Sequence, residues 1–395
     1  MGGRLNLYRE YDYDAKDLAV AFYSVATELY GAESLSGLKR FGIFEKTSLN
    51  FLSVPTGLKE QAQGIMGPVK IKQLSGHFQV CSQTQGGPVP DIIVVKVKPS
   101  DQKEVERLLD AVKEHLDKHS IYRGKAITVN GEFLDLSEIS MNDVVYNEKV
   151  ERSLEAHVWT IIEEWKLCAS TLIGLTRKVV FEGKYGSGKT LAALLTAKLA
   201  VKMGWTFFYM PPTSSRDTAA IQRVMFLAKK YQRSVVFFED VEREQRDGNV
   251  YAAGSILSAI DGLSSKSAQV LVIMTTNNIE KVNEGMQRPG RTDRIISFST
   301  FTAKDIERLL TLAIPSEWLD DEIDWNEVYK LCEGFSQSFV LEVGKSGMLF
   351  AINAWKKNGR EGKPRVKESD LKEAAQDLQV QHKKSNERFG FTKPI

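Results

Sequence analysis

Five short runs of β-branched and aromatic residues, set between helical patterns, constrain the second half of the chain most: Lys178–Glu182, Thr206–Met210, Ser234–Glu239, Gln269–Met274 and Arg294–Phe298. Their apolarity is continuous rather than alternating. Strands of that kind are covered on both faces, which predicts a five-stranded parallel sheet between helix layers, an α/β core. The helix after the first strand begins at Lys189 and meets Gly204, a natural C-cap. Val150, Leu154, Val158, Ile161 and Trp165 recur at helical spacing and predict a packed helix leading into the sheet. Behind the sheet the pattern turns wholly helical, over about 303–314, 325–333, 337–357 and 368–379, as expected for a small α-domain. Ahead of it, helical signals at 14–30 and 101–118 mix with Gly-rich stretches, a strand at 91–97 and a hairpin about Asn130-Gly131. The expected division is 1–140 (α+β), 141–301 (α/β core), 302–380 (helical) and 381–395 (basic tail).

Composition removes several function classes. With 53 Lys+Arg against 51 Asp+Glu, no global field attracts nucleic acid or an acidic membrane. The excess of Lys and Arg after residue 355 reads as a solvated helix and frayed tail, since no aromatic platform is interleaved with it; nucleic acid is the alternative. The longest apolar runs fall far short of the ~20 residues a bilayer requires, and the N-terminus lacks a basic region followed by an apolar one. Neither a membrane anchor nor a secretory signal is expected. Cys81, Cys168 and Cys332 are widely spaced, so no disulfide framework or zinc site is expected, and a reducing cytoplasm fits. His115 and His119 lack a third ligand and read as helix polar residues, while Tyr8, Tyr11, Tyr13, Phe22 and Tyr23 read as packing.

Gly183-Lys184-Tyr185-Gly186-Ser187-Gly188-Lys189-Thr190 matches GxxxxGK[ST] and stands between a buried strand and a helix start. Its glycines let backbone N–H groups wrap phosphates, the helix dipole favours their charge, Lys189 reaches the β- and γ-phosphates, and Thr190 ligates Mg²⁺. Residues 183–191, through Leu191, are therefore the candidate nucleotide loop. The third strand ends in Glu239-Asp240, two carboxylates that packing explains poorly but a metal-bound triphosphate explains well. An acidic N-cap remains the other reading of Asp240. The fourth strand ends in Thr275-Thr276-Asn277-Asn278, at the edge where open α/β sheets bind ligands, and Asn277 is the candidate there. Arg288, Arg291 and Arg294 are either surface charges around a Pro-Gly turn or donors to phosphoryl charge, which a guanidinium stabilises by ~10³–10⁵ in rate.

Together with Asp261-Gly-Leu, this ordered set resembles the AAA clade of AAA+ ATPases over about residues 140–380. The resemblance implies Mg²⁺-dependent ATP hydrolysis, with Lys189 and Thr190 in Walker A, Glu239 and Asp240 in Walker B, Thr190 and Glu239 on the metal, and Asn277 as sensor 1. It implies that Arg291 and Arg294 act on the neighbouring subunit's nucleotide, that 302–380 is the lid with Gly334-Phe335-Ser336 at the sensor 2 position, and that the chain forms a homo-oligomeric ring, a hexamer, working on a protein.

Three departures matter. Most members carry Asp-Glu at Walker B; the Glu239-Asp240 order is shared with the branch that includes the mitochondrial Rieske-protein assembly ATPase. The loop Pro211–Asp217 lacks the aromatic residue that unfoldases use to grip polypeptide, leaving Tyr251, after the next strand, as the aromatic near the channel. The lid carries Gln337-Ser-Phe339 where Gly-Ala-Asp is common, and no sensor 2 arginine. The expected function is ATP-driven remodelling of a protein partner recognised by residues 1–140. A nucleic-acid motor or loader, or a nucleotide-gated scaffold, is the alternative.

Overall fold

The helix expected near residue 14 starts where Asp14 accepts a hydrogen bond from the Lys16 amide, and runs as α1 over Ala15–Tyr30 in the computed structural model. The structure describes residues 4–37, 49–84, 87–140, 144–173, 175–214, 217–231, 233–241, 256, 269–277, 279, 292–298 and 301–388. Two compact units divide the chain: Met1–Asp135 with Gly204–Phe208 and Phe226–Ser234, and Leu136–Met203 with Tyr209–Met225 and Val235–Ile395.

In the first unit, β1 (Leu5–Glu10), β2 (Leu35–Gly37), β5 (Gly67–Ile71), β6 (His77–Thr84) and β7 (Gly87–Val97) form an antiparallel sheet in the order β1-β7-β6-β5-β2. A separate hairpin pairs β3 (Phe51–Pro55) with β4 (Gln61–Ile65). Gly64 lets β4 lie against α1, since a Cβ there would stand 3.1 Å from the Ala19 and Val20 backbone. Helix α2 (Gln102–His119) buries Val105, Leu108, Leu109, Val112 and Leu116, one stripe at helical spacing. Tyr11, Tyr13 and Phe22 are buried, whereas Tyr8 is 61% exposed. His115 and His119 stand side by side on α2, and no group of three metal-holding side chains occurs among the described residues.

Asp17 is a buried carboxyl group of this unit. Its carboxylate accepts from Ser120 Oγ at 2.6 Å, Ile121 N at 3.1 Å and the Tyr231 hydroxyl at 3.4 Å. Burial nonetheless dominates those bonds and pushes its pKa up to about 7. Because the folded value lies above the unfolded 3.8, the folded unit binds the extra proton between these values. Its stability is therefore highest at acid pH and falls as pH rises through 7, by about 4 kcal/mol at most at 1.36 kcal/mol per unit. Hydrogen exchange of the α1 amides should accelerate from pH 5 to pH 8 beyond the intrinsic rate change, and Asp17→Asn should flatten that extra dependence. An unchanged profile in the variant would show that Asp17 is not the titrating group.

A six-stranded sheet explains the continuous apolar runs. β9 (Arg177–Glu182), β10 (Thr206–Met210), β11 (Ser234–Phe238), β12 (Val270–Thr276) and β13 (Arg294–Ser297) appear where the sequence predicts them, with β11 and β12 wholly buried. The sheet order is β13-β9-β12-β11-β10-β8, and β9 runs parallel to both β12 and β13. Six strands stand where five are expected. The sixth, β8 (Ala126–Thr128), belongs to the Asn130-Gly131 hairpin, and its neighbouring Lys125 carbonyl accepts from Phe207 N at 2.9 Å.

The lead-in helix also departs from expectation. α3 (Glu148–Leu154) passes into a five-residue π-turn (Glu155–Trp159) before α4 (Thr160–Glu163), and α5 (Trp165–Ala169) restarts after Glu164. Val158, Trp159, Ile161 and Ile162 are all buried along this stretch. Trp159 Nε1 then donates to Thr196 Oγ1 on α6 (Lys189–Lys202) at 3.0 Å. α7 (Thr218–Lys230) follows β10. Helices α8 (Ala303–Ala313), α9 (Trp325–Cys332), α10 (Gln337–Lys357) and α11 (Glu368–Arg388) share an apolar core around Leu310, Val328, Val340, Val343 and Leu371.

Candidate active site

The carboxyl ends of β9, β11 and β12 come to one edge because β12 and β9 pair in register, Thr276 opposite Glu182, and Gly183 N donates to Thr276 O. Residues 183–188 leave β9 there and turn into α6. Gly186 and Gly188 have φ of +76° and +92°, left-handed values that only glycine adopts without strain. A Cβ on Gly186 would meet Ser338 Oγ at 2.5 Å, and one on Gly188 would meet Gln337 Oε1 at 2.8 Å. Helix α6 has no side-chain cap, so its first amides keep their donors for another acceptor, and the helix dipole favours an anion there.

Lys189 is buried, and its Nζ donates to Gly183 O at 2.6 Å, Lys184 O at 3.0 Å and Asn277 Oδ1 at 2.9 Å. Asn277 Nδ2 donates in turn to Asp240 Oδ1 at 3.3 Å. One amide therefore joins the loop cation to the second carboxylate. Thr190 Oγ1 donates to Glu239 Oε1 at 2.7 Å, while the Tyr209 hydroxyl donates to Glu239 Oε2. Burial, followed by Glu239, holds the Tyr209 phenol well above its usual range. Asp240 N donates to Thr275 Oγ1 at 2.9 Å, and the Asp240 backbone sits at φ +48°. That left-handed position accounts for Asp following Glu here, because the short polar side chains of Asp and Asn tolerate it best.

Three segments outside the motif close on the loop. Ser338 N donates to Gly186 O at 3.2 Å, bringing the start of α10 over it. Tyr146 donates to Gly188 O at 3.1 Å and packs edge-on against Phe298. Its neighbour Val145 lies in the core of α8–α11, and Asn147 Nδ2 donates at 3.1 Å to Asp305 Oδ2, part of the capping box of α8. Ser187 Oγ, Ser336 Oγ and Gln337 Oε1 are buried without a hydrogen-bond partner around this loop. Orphaned polar atoms, a glycine cradle and an uncapped helix fit a triphosphate, and the Thr190 and Glu239 oxygens are hard donors that fit Mg²⁺.

The structure thus brings together the backbone of 183–188 with Lys189, Thr190, Glu239, Asp240 and Asn277. The Lys184 and Tyr185 side chains face outward, and Leu191 is half-buried on α6. Arg294 is not in the cluster: it opens β13 opposite Val179, three residues before Glu182, or ~10 Å along the strand. It is exposed, and burial followed by the charges of Arg294 and Arg177 lowers His157. Arg288, Arg291, Asn278, Asp261 and Tyr251 lie outside the described residues. Tyr209 and Tyr146 escape sequence reading, since each looks like one more apolar residue of a buried run.

Residues 179–300 match the family model described as ATPase family associated with various cellular activities (AAA). This segment is an AAA ATPase domain. ATP and Mg²⁺ are the cofactors of an AAA ATPase domain, in agreement with the donor set above. The chain is similar to proteins named ATP-dependent zinc metalloprotease FtsH. It is 23% identical to that of Helicobacter felis over 256 residues, 60% of this chain and 38% of the relative. For Mesoplasma florum the figures are 28% over 172 residues, 40% and 26%; for Aster yellows witches'-broom phytoplasma, 29% over 177 residues, 41% and 26%. The chain spans between a quarter and two fifths of these relatives. No helix among the described residues is long and apolar enough to cross a membrane.

Proposed function

We propose that the chain is a ring-forming, Mg²⁺-dependent ATPase that remodels a protein partner. In this reading the AAA domain lies in a core of 141–301, 302–380 is its lid, 381–395 a basic tail, and 1–140 recognises the partner. The observation that carries it is the amide of Asn277, bonded at once to Lys189 and to Asp240, beside the Thr190–Glu239 pair. Residues 183–191 hold the triphosphate with Lys189 as their cation, and Thr190 and Glu239 hold the metal. Bound Mg²⁺ supplies a Lewis acid for the phosphate oxygens. Asp240 accepts a proton from the attacking water and Asn277 fixes where that water stands. The Glu239-Asp240 order supports reading the chain as nearest to the branch that includes the Rieske-protein assembly ATPase.

Arg291 and Arg294 serve the neighbouring subunit's nucleotide, and the separation of Arg294 from its own chain's loop supports that role. Turnover should then rise steeply with protein concentration, and light scattering should find a ring, a hexamer, as the competent species. Mixing Arg291→Ala with Asp240→Asn subunits should restore part of the activity that each lacks, because one intact interface forms in mixed rings. A fully active monomer would overturn this reading.

A further inference from the structure

We propose that Tyr209 is a positioning residue for the Glu239 carboxylate and thereby sets the Mg²⁺ requirement of the site. The inference rests on the reading of Glu239 as a metal-holding side chain. Glu239 has one more side-chain torsion than an aspartate, so a single partner leaves its carboxylate free to swing. The structure gives it two. Oε1 accepts from Thr190 Oγ1, on the first turn of α6, and Oε2 accepts from the Tyr209 hydroxyl, on the neighbouring strand.

The phenol is itself well fixed. Glu239 N donates to Met210 O at 3.1 Å, which sets the register of β10 against the end of β11. Glu239 directly follows β11, two residues beyond Phe237, the spacing that alternation along an extended chain puts on one side. The Tyr209 ring stacks on Phe237, with centroids 5.6 Å apart and planes at 27°, so its hydroxyl is delivered to the next residue on that side. Packing alone would be met by phenylalanine. The hydroxyl stands on the carboxylate although the side chain is only half-buried and solvent could serve it.

The test uses the full chain, a fluorescent ATP analogue, and Mg²⁺ titrated from a chelated zero. Tyr209→Phe should bind the analogue without Mg²⁺ as tightly as the parent chain does. Its half-saturating Mg²⁺ should rise about tenfold or more, the range seen when an outer hydrogen bond to a metal ligand is removed. At saturating Mg²⁺ the KM for ATP should recover while kcat stays reduced. On a Glu239→Asp background, whose carboxylate retreats from the phenol, Tyr209→Phe should have no further effect. Equal weakening with and without Mg²⁺, or an unchanged Mg²⁺ requirement in Tyr209→Phe, would overturn the proposal. Should Glu239→Gln also keep the parental Mg²⁺ requirement, the metal assignment falls with it; should Glu239→Gln raise it alone, only the role of Tyr209 falls.

Discussion

Lys189→Ala is expected to abolish measurable ATP binding. The Lys189 ammonium is buried, and its three donors go to Gly183 O, Lys184 O and Asn277 Oδ1, so it is both the cation of the loop and the group that ties the loop to β12. In the proposed reading alanine removes the charge that meets the phosphates, and it takes the Lys189 donor away from Gly183 O, Lys184 O and Asn277 Oδ1. A hydrogen bond to a charged group contributes about 1.5–3 kcal/mol, so losing even two weakens binding by about 100-fold or more. Titration with a fluorescent ATP analogue, with and without Mg²⁺, checks it. Because the loop cation precedes the metal in this scheme, the loss should appear in both conditions. Retained Mg²⁺-free affinity would show that the phosphates do not meet Lys189.

Asp240→Asn should separate binding from chemistry. Asparagine tolerates the φ of +48° as aspartate does, and its side-chain oxygen can still accept from Asn277 Nδ2, so the local backbone should keep its course. What disappears, in the proposed reading, is a base for the attacking water. Turnover should fall by about 10²–10⁴, the usual contribution of a positioned base, while affinity for ATP and Mg²⁺ holds. Glu239→Gln should act differently. Its two oxygens accept from Thr190 and Tyr209, an arrangement that one amide oxygen cannot reproduce, so the Mg²⁺ requirement should rise first. Steady-state ATPase assays beside Mg²⁺ titrations distinguish the two. Normal turnover in Asp240→Asn, with binding intact and turnover lost in Glu239→Gln, would reverse the roles of the two carboxylates.

The legible part of this molecule is the part written in local pattern. Val179-Val-Phe181, Val235–Phe238 and Val270–Met274 declare buried strands by continuous apolarity, and the spacing of Gly183, Gly188, Lys189 and Thr190 declares the loop between β9 and α6. Long-range pairing leaves no such mark. The hairpin about Asn130-Gly131 is readable, yet nothing in 126–128 announces that its other edge completes the larger sheet. Strands β2 to β5 are only three to five residues long, too short for an alternating pattern to stand out. Tyr209 hides within Thr206-Phe-Phe-Tyr-Met210, because its value depends on Glu239 lying across the next strand. The left-handed backbone at Asp240 also becomes visible only once φ is known, although it gives the Glu-Asp order a physical reason.

The stretch Val145-Tyr146-Asn147 has a mechanical consequence. Its three side chains go to the core of α8–α11, the Gly188 carbonyl and the cap of α8. The span from Val145 to Asn147 is two peptide units, under ~8 Å, too short to absorb a displacement by uncoiling. A rotation of α8 that drags Asp305 is therefore passed through Asn147 to Tyr146, and from there to the turn that precedes Lys189. Any displacement of α8 relative to residues 183–188 would therefore load the Asn147 and Tyr146 hydrogen bonds first.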